Sequence, residues 1–328
     1  MKRILTLLVL TSQAVHVIAQ ACNALDPNFG SGGVQVGITT SDWLDPRNIV
    51  VQPDNKIVQF GSLYSNGAHF SIVRYNSDGS LDNSFGQNGR VLSSMSQYDV
   101  ASFGAVQNDG KILVVGTVQY GGVALARYNH DGTPDNNFGS AGAVIIAGHD
   151  GDFARGLAIQ SDGKIVVVGS TTRTDDCMTG NWGNQFCPNH FTVFRLKIDG
   201  SIDSSFGENG KVITAVGPNH AGYASSVAIQ TDGKIVVAGS YLYNLLYDDY
   251  YGTYYFASSH LVMVRYNNDG VLDSSFGANG FVADASEFQS ATAISLQADG
   301  KVLVTGWGGR PFEIERYSSD GSPDNSFG

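Results

Sequence analysis

The stretch RYNNDGVLDSSFGANG, which begins at Arg265, has near-copies at Arg74 (RYNSDGSLDNSFGQNG) and Arg127 (RYNHDGTPDNNFGSAG). A looser copy begins at Arg195 (RLKIDGSIDSSFGENG) and a shorter one at Arg316. A repeat on this scale limits the fold more than any other feature, because each copy is one supersecondary unit that must bury its apolar face against its neighbours. The phenylalanine of the D-x-x-F-G element recurs at Phe29, Phe85, Phe138, Phe206, Phe276 and Phe327, at intervals of 56, 53, 68, 70 and 51 residues. Six markers enclose five units.

A second marker lies inside each unit: QPDNKIVQFG from Gln52, QNDGKILVVG from Gln107, QSDGKIVVVG from Gln160, QTDGKIVVAG from Gln230 and QADGKVLVTG from Gln297. An Asp-Gly pair between apolar runs predicts a β-hairpin with a type I′ turn, which needs positive φ at both central residues. Where four copies have glycine the first has Asn55, which also tolerates left-handed geometry. Each unit then reads as four strands. In the third unit they are GAVIIA, GLAIQ, KIVVVGS and FTVFRLK, the last alternating enough to suggest one less-buried face. No segment carries a helical period. Four-stranded units at this length predict an all-β chain folded as a β-propeller of five blades, or part of a larger ring. The abundant glycine (41), sparse proline (8) and low charge (15%) agree with many tight turns.

The signatures DGKIVVVGS, ALARYNHDG and LDSSFGANG, recurring in fixed order over nearly all of the chain past residue 21, resemble the delta-60 repeat family. That resemblance implies an exported bacterial β-propeller and brings no established activity or catalytic residues with it.

The repeated corner admits two readings. N-x-D-G-x-x-D, as in Asn76-Asp78-Gly79-Asp82, looks like the middle of a calcium loop, but EF-hand spacing puts Arg74 and Phe85 where carboxylates belong. The structural reading explains more. Asp78 and Gly79 turn the chain, Asp82 caps the short turn that follows, and Phe85 points inward as an apolar wedge. The arginine opening each copy follows an apolar run, so its guanidinium needs a partner, and the aspartate eight residues on is the candidate. The expected pairs are Arg74 with Asp82, Arg127 with Asp135, Arg195 with Asp203, and Arg265 with Asp273, each followed by its phenylalanine (Phe85, Phe138, Phe206, Phe276).

Residues 1–21 read as a signal peptide: Lys2 and Arg3, an apolar core, and Ala19-Gln20-Ala21 as the cleavage site. Removing them takes away two positive charges and no negative ones, so the formal charge moves from −11 to −13. Such an acidic chain repels nucleic acid and anionic lipid, and no run is long enough to span a membrane. In an oxidising compartment Cys177 and Cys187 are placed to close one loop. Cys22 follows the cleavage site, with lipid attachment there a minor alternative to simple export. Residues 22–328 are expected to form one propeller domain, in which LDPNFGSGGVQV near the start offers the first strand and SPDNSFG at the end duplicates its corner.

Function is expected where the repeats differ. Two insertions, at 171–190 and 241–259, occupy the same place in adjacent units and so share one face. The first carries Trp182, Phe186 and the cysteine pair, and the second carries Tyr241, Tyr243, Tyr247, Tyr250, Tyr251, Tyr254 and Tyr255. Tyrosine offers broad contact area with a polar tip, which suits binding of an extracellular protein or glycan. The rival reading is a lengthened hairpin whose aromatic residues pack on one another. His69, His130, His149, His190, His220 and His260 are scattered, without a paired metal spacing. A non-catalytic scaffold with no cofactor is the leading expectation. The alternatives are a hydrolase or lyase with acid and base residues in the central pocket, and a calcium-stabilised adhesin.

Overall fold

The computed structural model describes residues 25–36, 43–93, 95–119, 121–146, 152–179, 185–216, 221–248, 253–283, 288–308 and 312–327. The signal segment, Cys22, Trp182, Tyr250 and Tyr251 lie outside them. Every regular element among the described residues is a strand.

Blade one runs from the centre outward as β1 (Trp43–Val51), β2 (Ile57–Tyr64), β3 (Ala68–Tyr75) and β4 (Arg90–Leu92), each antiparallel to the next. Blade two repeats this with β5 (Val100–Val106), β6 (Ile112–Thr117), β7 (Val123–Tyr128) and β8 (Ala143–Ile146). In blade three, β9 (Phe153–Ile159) and β10 (Ile165–Thr172) precede a two-stranded side hairpin, β11 (Met178–Thr179) with β12 (Gln185–Phe186). The blade then resumes with β13 (Asn189–Leu196) and β14 (Lys211–Thr214). Blade four is β15 (Ala221–Ile229), β16 (Ile235–Asp248), β17 (Thr253–Tyr266) and β18 (Phe281–Ala283). Blade five has three strands among the described residues, β19 (Phe288–Leu296), β20 (Val302–Gly308) and β21 (Glu313–Tyr317). The chain is an all-β propeller.

The sequence unit grouped GAVIIA with the strands that follow it, but β8 pairs with β7 and is the outermost strand of the preceding blade. The corner reverses the chain within a blade, and the Arg127 N–H donates to the Gly142 carbonyl at 2.8 Å as the outer strand returns. FTVFRLK was expected to leave one face less buried, yet β13 is buried from His190 to Leu196. A blade in the middle of the series has a neighbour on each face, and both faces are dry.

The hairpin turn differs from type I′. Gly163 has φ 83°, with no positive φ at Asp162, and its N–H donates to the Gln160 carbonyl at 2.9 Å. This is a type I turn closed by a left-handed residue, so only one position needs special freedom. Asn55 fills that position in blade one at φ 63°. A second glycine has a different task. At Gly169 in β10 an added Cβ would lie 1.7 Å from the Phe153 carbonyl oxygen, where a bulge shifts the register against β9.

The apolar cores lie between blades. Val58, Phe60, Phe70 and Ile72 of blade one meet Ile112, Val114, Ala124 and Ala126 of blade two in one cluster, and the next three interfaces repeat the arrangement. The inner strands of all five blades line a central cavity of about 2030 Å³.

Candidate functional site

The recurring corner is built from one strand, one hairpin and the neighbouring blade. Arg74 Nε donates to Asp82 Oδ2 at 2.7 Å, and the same bond joins Arg127 to Asp135 (2.7 Å), Arg195 to Asp203 (2.8 Å) and Arg265 to Asp273 (2.8 Å). The four arginines are buried, and each guanidinium lies over the ring of its own phenylalanine at 4.4–4.6 Å. This stacking supplies a π face where water is excluded. The lysine of the Q-x-D-G-K marker reaches the same carboxylate oxygen: Lys56 to Asp82 at 2.9 Å, Lys111 to Asp135 at 2.9 Å, Lys164 to Asp203 at 3.4 Å and Lys234 to Asp273 at 3.0 Å. Sequence reasoning missed the lysine, although its recurrence was visible.

The other carboxylate oxygen caps the turn. Ser84 donates to Asp82 Oδ1 through both its amide (3.1 Å) and its hydroxyl (2.6 Å). For Asp203, burial raises the pKa, but the Ser205 hydroxyl and amide together with Arg195 and Lys164 outweigh it and hold the group at about 2. Asp82 and Asp273 are held down in the same way, and Asp135 by Lys111, the Asn137 amide and Arg127. The corner also fastens blade to blade. Arg74 Nη1 donates to the His130 carbonyl of blade two, and Arg127, Arg195 and Arg265 reach the Ile198, Asn268 and Ser319 carbonyls. Gly86 N–H donates to the Asp131 carbonyl at 2.8 Å. A Cβ on Gly132, at φ 87°, would come within 3.0 Å of the Phe85 ring, so that position is restricted twice over. Asp78 spends Oδ1 on the Ser80 amide and hydroxyl. The corners are joints. Among the described residues no group of three or more His, Cys, Asp or Glu side chains is placed to hold a metal ion.

The central cavity is lined by Asn48, Ser102, Gln107, Thr117, Ser226 and Thr292 among other neutral residues, with Arg47 and Arg155 as its cations. No Asp, Glu or His is among the described residues that line it.

The two insertions leave the connections between the second and third strands of blades three and four. Cys177 and Cys187 are joined by a disulfide that closes the side hairpin. Next to it, His190 Nε2 lies 2.5 Å from Asp176 Oδ2, which ties the loop to the buried start of β13. His69, His190 and His260 share one position in the third strand of their blades, five residues before the arginine. They stand on separate blades and form no cluster.

In blade four the insertion is a continuous ladder. Strands β16 and β17 have 14 residues each and pair from Ile235↔Tyr266 out to Asp248↔Thr253. Beyond Tyr241 the ribbon extends roughly 20 Å at about 3.3 Å per residue. Tyr241↔His260, Tyr243↔Ser258, Leu245↔Phe256 and Tyr247↔Tyr254 occupy one alternate set of register positions, and Leu246↔Tyr255 falls in the other. Tyr241, half-buried, packs on the core between blades three and four, and its ring lies 5.7 Å from that of His260. Tyr243, Tyr247 and Tyr254 thus share the register set of Tyr241. Phe186, also half-buried, pairs with Met178 in that loop. Asn189 Nδ2 donates to Tyr223 Oη at 2.9 Å, linking the two blades beneath the insertions.

Six segments, 52–85, 107–138, 160–176, 230–245, 251–276 and 297–327, match the model of a family described as "Domain of unknown function (DUF5122) beta-propeller". No curated protein matches the chain. Among solved structures, a polysaccharide lyase of family PL25, an ulvan lyase bound to -[GlcA(1-4)Rha3S]-, is similar at TM-score 0.52 and 11% identity, over 84% of this chain and 67% of that one. The PQQ-bound aldose sugar dehydrogenase of Streptomyces coelicolor gives 0.48 and 13%, over 85% and 81%. The beta-propeller domain of the trilobed protease of Pyrococcus furiosus gives 0.39 and 13%, over 84% and 69%. Identities this low speak to fold alone.

Proposed function

We propose that this propeller, built of delta-60-type repeats, is an exported binding module that captures a protein or glycan on the face carrying the insertions of blades three and four. The observation that supports this most is the tyrosine-rich ribbon, which continues the blade-four ladder outward with Tyr243, Tyr247 and Tyr254 in the register set of Tyr241. A ribbon anchored in a blade holds its aromatic residues at low entropic cost, which favours recognition. The disulfide in the adjacent loop fits an oxidising compartment.

The test is capture from culture medium and from a panel of polysaccharides, using the full chain and a variant in which residues 244–257 are replaced by a two-residue turn. Tyr241 is kept because it packs on the blade core. Loss of capture with an unchanged melting temperature is the expected result. Equal capture by both proteins would overturn the proposal.

A further inference from the structure

We propose that the outer flank of blade five is a docking surface for a further blade of the same repeat type. The four preceding interfaces define what such a flank accepts. In blades one to four the arginine N–H donates to the outer-strand glycine carbonyl: Arg74 to Gly89 (3.0 Å), Arg127 to Gly142 (2.8 Å), Arg195 to Gly210 (3.0 Å) and Arg265 to Gly280 (3.0 Å). Nη1 of the same four arginines reaches a carbonyl of the next blade. Arg316 keeps the local half of this arrangement, bonding Asp324 at 2.7 Å and Ser326 at 3.3 Å, with its guanidinium 4.6 Å from the centre of the Phe327 ring. No next-blade bond is present for Arg316 among the described residues.

The apolar surface agrees. Phe60, Phe70, Ile72 and Phe85 of blade one are fully buried against blade two. Phe312, Ile314 and Phe327, at the positions of Phe70, Ile72 and Phe85, are 68%, 37% and 37% exposed, and Trp307 beside them is 57% exposed. On the far side of the arc the complementary half is present. Residues 25–30 form a corner docked on blade one, with Gly30 N–H donating to the Asp78 carbonyl at 2.7 Å and the Phe29 ring against Gly79. Gly33 N–H donates to the Phe29 carbonyl at 2.8 Å, as Gly89 N–H does to the Phe85 carbonyl. This is a blade corner with its outer strand begun, and it pairs with no blade of its own among the described residues.

One flank thus presents the donors and apolar side chains that elsewhere receive a blade, and the opposite side carries the corner that elsewhere completes one. The occupant that satisfies both is a sheet of three strands ending in an Asn-x-Asp-Gly corner, whose main-chain carbonyl would receive Arg316 Nη1. A second copy of the whole chain fits less well, because its blade-one corner already receives its own Phe29 and Gly30.

The test appends a copy of residues 87–132 after Gly328, supplying blade five with an outer strand and the arc with three further strands. Acrylamide quenching of Trp307 is read in a Trp43→Phe, Trp182→Phe background. The expected result is a severalfold fall in quenching and a higher melting temperature, with the quenching restored by Phe312→Asp. Unchanged quenching in an extended protein that has gained strand signal by circular dichroism would overturn the proposal. A readout needing no extension is hydrogen exchange in the unmodified chain, where the Arg316 amide is expected to exchange far faster than that of Arg265. Equal protection, or concentration-dependent dimerisation that buries Trp307, would likewise overturn it.

Discussion

At the residue scale the molecule depends on a charge cluster repeated at each joint. Replacing Arg195 with Met leaves the buried Asp203 carboxylate without the guanidinium that bonds it at 2.8 Å, a loss that costs about 3–5 kcal/mol in such pairs. Arg316→Met should cost clearly less, since that side chain is 18% exposed and lacks a next-blade carbonyl among the described residues. Urea melts of the two variants check the order. The acid limb follows from Asp203. Its folded pKa of about 2 lies below the unfolded value of about 3.9, so its contribution is fully present above pH ~4 and is lost as pH falls toward 2. The gap in melting temperature between wild type and Asp203→Asn should therefore shrink over that interval; a constant gap would show that the carboxylate is not depressed. The arginine–aspartate spacing was legible in the sequence because a buried charge demands a partner. The lysine was not, because it arrives from a hairpin more than twenty residues away, a distance that no local pattern encodes.

At the scale of elements, the repeat was legible and its frame was not. Sequence similarity places a unit boundary at the phenylalanine, whereas hydrogen bonding closes a blade one strand later, after the chain has turned at the corner and come back as β4 or β8. The strands that look like central ones, such as KIVVVGS, are recognisable by their unbroken apolar run, and β10 is buried over seven of its eight residues. What composition hid was the glycine in that run. Gly169→Ala would force a Cβ against the Phe153 carbonyl, and the resulting shift should destabilise by about 1–3 kcal/mol, measurable in a thermal melt. The insertions were legible as departures from the repeat. That the second is a regular ribbon became visible only through the register Tyr247↔Tyr254, which depends on pairing across the turn.

At the scale of the whole molecule, the joints use side chains and main-chain carbonyls throughout, and the carboxylates of the corners are already bonded to Arg, Lys and Ser. A chelator should consequently leave the melting temperature unchanged; a fall of several degrees would point to a cation at the corners. The arc of blades brings the two insertions to one face and leaves the neutral cavity at the centre, so two places compete for a ligand. Hydrogen exchange of the full chain with and without its captured ligand separates them most directly. The account predicts new protection over 178–187 and 241–260, with the cavity-lining strands β5 and β9 unaffected. Protection confined to those inner strands, with the ribbon unchanged, would contradict it.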